Sequence, residues 1–219
     1  FVMRFNLMDN VITRALSKIC DMICLNVLWV ICSIPIVTIG ASTTALYTVM
    51  LKMVRNEEGY IFRGFFKAFK ENFKQSTIIW LIVAALGAVW WIDYRVSGLM
   101  GQGISDVFRI IFLLLGFLLL SVIIYVFPLT ARYENSISAT FKNAIILTVA
   151  KLPYTFIMVA VLVIAVLASL WNTMMLMMAL PLWFIFGVSL IAWVNSYLLR
   201  RVFTVFEQEE EDTKEKEEV

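Results

Sequence analysis

The sequence predicts an all-α protein, a polytopic bundle of transmembrane helices. Three observations carry that prediction. Hydrophobic residues make up 62% of the chain and charged residues 16%, with a mean hydropathy of +0.89; an ordinary soluble domain is about 25% charged. Residues 152–199 hold no Asp, Glu, Lys or Arg over 48 positions, where one helical crossing needs about 20. The remaining charges are gathered into blocks between apolar runs, so the net charge of +2 says little by itself. The amino end, mixed polar and apolar, lacks the pattern of a cleavable leader.

Apolar runs set the crossings at residues 19–34, 36–54, 76–95, 108–128, 152–170 and 174–198. The run at 36–54 is the doubtful one, because it opens with a glycine and a cluster of hydroxyls just after Pro35. In a five-crossing scheme it lies on the membrane surface, with 5 basic residues on one side and 13 on the other. In a six-crossing scheme it returns through the bilayer. Then 16 of the 18 Lys and Arg share the side of both termini, leaving Arg95 and Arg109 opposite. Basic residues flanking membrane helices concentrate on the cytoplasmic side. Six crossings with both termini cytoplasmic is the expectation, and five the alternative.

Pro35 and Gly40 then bracket an outer turn, the proline ending one helix and the glycine easing the start of the next. Thr38, Gly40, Ser42, Thr43 and Thr44 are small or hydroxylic, which lets membrane helices approach closely and bond across the contact. A polar lining for a solute path is the other reading of the same hydroxyls.

Phe62, Phe66, Phe69 and Phe73 are spaced 4, 3 and 4, one stripe of a helix over 61–74. Arg63, Lys67, Lys70 and Lys74 follow one position later, about 100° around. An aromatic stripe beside a basic one suits a helix in the headgroup layer facing anionic lipid. It also suits a helix docking in a partner's groove. Residues 1–18 and 136–151 repeat the pattern more weakly as interfacial helices. Each of the three precedes a hairpin of crossings, a loose threefold plan whose second outer turn holds Gly98, Gly101 and Gly103. Residues 201–219, with eight acids from Glu207 onward, read as a disordered cytoplasmic tail.

Chemistry is sparse. There is no histidine, no carboxylate pair at fixed helical spacing and no phosphate-cradling glycine motif. No catalytic residue, cofactor or metal is predicted. Cys20 and Cys24 share a helix face with Cys32 further along, but a tetrahedral metal site takes four ligands. They read as small buried apolar residues. No charge sits mid-crossing, which disfavours ion-coupled transport. Asp93, Arg95, Asp106 and Arg109 read as an ion-paired outer turn. Asn26 and Asn195, inside crossings, read as bonds between helices.

The stretches "NVLWVICSIPIVTIGASTTALY" and "NEEGYIFRGFFKAFKENFKQS", with the later "FPLTARYENS" and "FKNAIILTVAKLP", resemble the YesL-like family of bacterial membrane proteins, domain of unknown function 624. The likeness covers nearly the whole chain. It implies a protein of Gram-positive bacteria encoded near carbohydrate-uptake transporters, and it brings no catalytic or binding residues.

The expectation for function is a non-enzymatic protein of the bacterial plasma membrane, accessory to carbohydrate uptake or utilisation. Its partners would be anionic lipid headgroups and subunits of a carbohydrate ABC transporter or a second copy of itself; nucleic acid is not among them. A stand-alone permease for a small neutral solute is the alternative. A membrane enzyme, which would need Asp93 and Asp106, comes third.

Overall fold

The computed structural model of the chain describes residues 11–57, 59–98 and 104–217, with backbone alone for 11–15, 104–105 and 205–217. Helices α1 (Val11–Cys32), α2 (Ile39–Val54), α3 (Ile61–Ser97), α4 (Ile104–Arg132), α5 (Ile137–Ala150), α6 (Leu152–Leu170), α7 (Thr173–Leu182) and α8 (Val188–Glu217) follow in order. No strand occurs among the described residues. Five stretches among them are long and apolar enough to cross a membrane: Ile36–Val54, Ile61–Ser97, Asp106–Arg132, Leu152–Leu170 and Thr173–Thr204. The all-α membrane bundle read from composition is the observed fold.

α1 and α2 form an antiparallel hairpin. Its apex is a 3-10 turn, Ile36–Thr38, opened by Pro35. Thr38 Oγ1 lies 2.6 Å from the Cys32 carbonyl and 2.7 Å from that of Pro35. Its one proton thus serves the carbonyls freed where α1 ends. Nearer the middle, Trp29 Nε1 donates to Thr43 Oγ1 at 3.1 Å. At the open end α2 stops in a Schellman motif. Asn56 adopts a left-handed φ of 58°, its N–H donates to Met53 O, and Glu57 N–H donates to Lys52 O.

α2 is the centre of the bundle, packed against α1, α3, α4 and α8, with 12 of its 16 residues buried. Gly40, expected to relax an outer turn, instead sits inside α2 at its contact with α3. A Cβ there would run into the Ser76 carbonyl and lie 2.6 Å from Trp80 Cβ. Across the same contact Ser76 Oγ bonds Thr44 Oγ1 at 2.8 Å. Lipid gives helices no hydrophobic reason to associate, so close packing and such bonds, about 0.6 kcal/mol each, hold them together. Packing is what residues 40–45 supply.

α3 runs unbroken for 37 residues, about 55 Å. The inner helix expected at 61–74 and the crossing expected at 76–95 are therefore one element. Between Glu71 and Trp80 no proline, glycine or π-turn stands to bend it. Its first half lies along α2, from Gly64 beside Val49 to Trp80 beside Gly40. Its second half lies along α4, where Trp90 Nε1 donates to Phe112 O at 2.7 Å and Gly116 leaves room for the Trp90 ring.

The lead-in expected at 1–18 likewise continues into the next crossing as α1, and residues 1–10 lie outside the described residues. Only the third lead-in is separate. α5, capped by Ser136 Oγ, ends at Lys151 (φ −120°, ψ 43°). Pro153 follows two residues later, without an amide to extend the ladder.

The last hairpin turns at Asn172, whose side chain accepts from Met175 N–H at 2.8 Å. Pro181 then precedes a π-helical segment, Trp183–Gly187. Such a widened turn leaves backbone groups without their usual partners. Asn26 supplies them from α1: Nδ2 donates to Trp183 O at 2.9 Å and Phe184 O at 2.7 Å, and Oδ1 accepts from Ser189 N–H at 2.9 Å. Asn26 is fully buried, where no water could stand in. α8 continues to Glu217, so the tail expected to be disordered from 201 carries helical backbone. Cys20 and Cys24, expected to be buried, are exposed, because α1 turns Met22, Leu25, Asn26 and Leu28 inward.

Candidate functional site

Five hydrogen-bonded or ring contacts, four of them made by Lys18, Arg132 or Arg200, tie together one end of the bundle. Lys18 Nζ donates to Asn56 Oδ1 at 3.0 Å, joining the start of α1 to the end of α2. Arg200 donates to Val54 O at 3.2 Å, bringing in α8. Gln75 Nε2 donates to Asn135 O at 2.7 Å, tying α3 to the α4–α5 link. The Arg132 guanidinium lies 5.3 Å from the centre of the Phe203 ring and 5.6 Å from that of Tyr133. The opposite end holds Asp93, Arg95 and an exposed pair, Asp106 and Arg109, 3.8 Å apart. Of the outer-turn group, Asp106 and Arg109 form the expected ion pair; Gly101 and Gly103 lie outside the described residues.

At the basic end, α1, the last turns of α2 and the start of α3 enclose an open groove of about 670 Å³. Lys52, Arg63 and Lys67 line it against Asp21 and Glu57, with Tyr60 and Phe62 at its mouth. The Arg63 guanidinium sits 5.7 Å from the Tyr60 ring centre. Lys67 and Glu71 are 3.9 Å apart and mostly exposed, a pairing that contributes little in water.

The predicted stripes are both outward. Phe62, Phe66 and Phe73 are exposed and Phe69 is half-buried. Successive rings meet along the helix, Phe62 and Phe66 tilted with centres 5.8 Å apart and Phe69 and Phe73 edge to face with centres 5.5 Å apart. Phe66, Phe69, Lys70 and Phe73 border a second hollow with Lys74. The ring that holds α3 to the bundle is Phe65, fully buried, which the regular Phe spacing concealed. Its signal was the inward series Phe65, Ala68, Ser76, Ile79 at helical spacing.

The other predicted group is divided. Pro35 is exposed at the hairpin apex with Thr38 half-buried behind it, whereas Gly40, Ser42 and Thr44 are buried and Thr43 is half-buried. Among the described residues no three His, Cys, Asp or Glu side chains converge as metal ligands would.

The profile of a family described as "Protein of unknown function, DUF624" matches residues 22–94, the α1–α2 hairpin and most of α3. The uncharacterized protein YesL of Bacillus subtilis (strain 168) is 26% identical over 217 residues, 95% of this chain and 99% of its own. The uncharacterized protein YteU of the same organism is 27% identical over 142 residues, 63% of this chain; the match spans 64% of YteU. No solved structure matches. The match thus falls on the segment that builds both the central packing and the basic groove, and YesL aligns with nearly everything around it. The chain is thus similar to the YesL-like DUF624 proteins over most of its length.

Proposed function

We propose that this is a non-enzymatic protein of the bacterial plasma membrane, accessory to a carbohydrate uptake or utilisation system, which docks a transporter subunit at its basic end. The cations and both termini face the cytoplasm, the orientation that their distribution favours. The observation that carries this reading is an exposed Phe stripe joined to a cationic groove on one continuous helix. Aromatic residues and Arg beside a hollow suit a partner's helix or loop. The neighbouring lysines suit anionic headgroups, each worth about 1 kcal/mol near the surface. The family resemblance supplies the partner class. A permease for a small neutral solute is the second reading: within its hydroxyl segment Thr44 bonds Ser76 and Thr43 bonds Trp29, while Ser42 Oγ is buried without a partner.

Purification in mild detergent from cells grown on different sugars tests the proposal. A carbohydrate ABC transporter subunit is expected with the wild type, and about tenfold less of it, or roughly 1.4 kcal/mol, with the triple variant Arg63→Glu, Lys67→Glu, Lys70→Glu. Recovery of no such subunit on any sugar overturns it.

A further inference from the structure

We infer that the α1–α2 hairpin enters and leaves the membrane from the basic side, its apolar apex ending within the near leaflet. This goes beyond the docking proposal and does not depend on it. Ile36–Val54 has the length and composition of a crossing, but its depth is set by the helix it lies against.

α3 fixes the position of the hydrocarbon. Its first half carries Arg63, Lys67, Lys70, Glu71 and Lys74, all exposed, and its next charge is Asp93. From Lys74 to Asp93 is about 28 Å of helix, close to the ~30 Å of a bilayer core. α4 agrees, being free of charge from Arg109 to Arg132 and paired with α3 through Trp90 and Phe112. Any slab displaced toward α2 would take exposed cations into lipid, at about 2.5–3.5 kcal/mol each near the centre.

α2 lies beside the charged half. Val49 meets Gly64, Thr44 meets Ser76, and Gly40 meets Ser76 and Trp80. The apex, four residues before Gly40, therefore stands about level with residue 82 of α3, roughly 12 Å past Lys74. About 17 Å of α3 remains between that level and Asp93.

The apex is built for lipid. Ile34, Ile36 and Val37 are 75%, 72% and 50% exposed, where a turn in water would carry polar side chains. Part of its backbone is paired internally: Ser33 N–H donates to Trp29 O, Ile34 N–H to Ile31 O and Thr38 N–H to Pro35 O, with the Thr38 hydroxyl on Cys32 O. Each such pairing lowers the cost of entering hydrocarbon.

Single cysteines test the inference in a background with Cys20, Cys24 and Cys32 replaced by Ser. They are placed at Ile34 and Val37 in the apex, at Glu57 in the basic-end loop and at Gly98 in the far turn. A Cβ on Gly98 meets nothing nearer than 3.5 Å. Intact cells and inverted vesicles are treated with a membrane-impermeant maleimide. The expected result is reaction of Glu57→Cys only in inverted vesicles, of Gly98→Cys only in intact cells, and of the apex cysteines only after SDS. A nitroxide on Val37→Cys should meet oxygen more readily than a water-soluble nickel chelate, at a depth within the near leaflet. Labelling of either apex cysteine in intact cells means a full crossing and overturns the inference. Labelling in inverted vesicles means an apex in water and overturns it equally. A nitroxide at or beyond the bilayer centre, or Glu57→Cys and Gly98→Cys labelled from one side, also overturns it. Exchange of those two between sides with a silent apex supports the hairpin and instead defeats the cytoplasmic placement of the basic end.

Discussion

α2 and α7 are both uncharged over most of their length, yet they sit oppositely in the molecule. α2 opens with Gly, Ala, Ser, Thr and Thr and has 12 of 16 residues buried; α7, almost wholly Met, Leu and Ala, has none. In a soluble protein the greasier helix would be the inner one. Lipid reverses the preference, because hydrocarbon solvates Met and Leu as well as a protein interior does. Interior positions go instead to residues whose small size or hydroxyl lets backbones meet.

The contrast breaks most visibly at Gly40. Gly40→Leu forces α2 from the Ser76 carbonyl and Trp80 Cβ, neither of which is a flexible side-chain end. A loss of about 3 kcal/mol or more is expected, read as failure to recover a monodisperse peak on detergent size-exclusion chromatography. Recovery at wild-type level would mean that the close contact is not what centres α2. Asn26→Ala comes next, since it strands two carbonyls and an amide in the interior. A cost of about 2 kcal/mol is expected, seen as a lowered midpoint in thermal unfolding in detergent. An unchanged midpoint would show the π segment to be satisfied without α1. Met177→Ala on α7, 69% exposed, should move the same midpoint by no more than about 0.5 kcal/mol. A larger shift would place α7 against protein rather than lipid.

Much of this was legible in the chain. The charge-free runs marked the long helices, the cation tally anticipated one basic end, and the small residues after Pro35 announced close packing. Other features depend on partners far away in sequence. Nothing near Asn26 says that its amide completes a π segment more than 150 residues later. The Phe stripe at 62, 66, 69 and 73 drew attention to a surface, while Phe65, one step aside, holds the helix in place. Helix joins were legible only where a breaker stands: Pro153 separates α5 from α6, whereas nothing from Glu71 to Trp80 divides α3, so two expected elements merged. The Asn56 cap had a cue, an Asn just past the last apolar turn of α2, but Lys18 as its partner did not.

The unbroken length of α3 has a mechanical consequence. A rod of about 55 Å that tilts by 10° displaces one end relative to the other by about 10 Å. A neighbouring protein or a change in bilayer thickness that leans on Asp93 and Tyr94 would thus swing Tyr60 and Arg63 through nearly the width of a helix. One side of the membrane is in this way geared to the other without any change of fold.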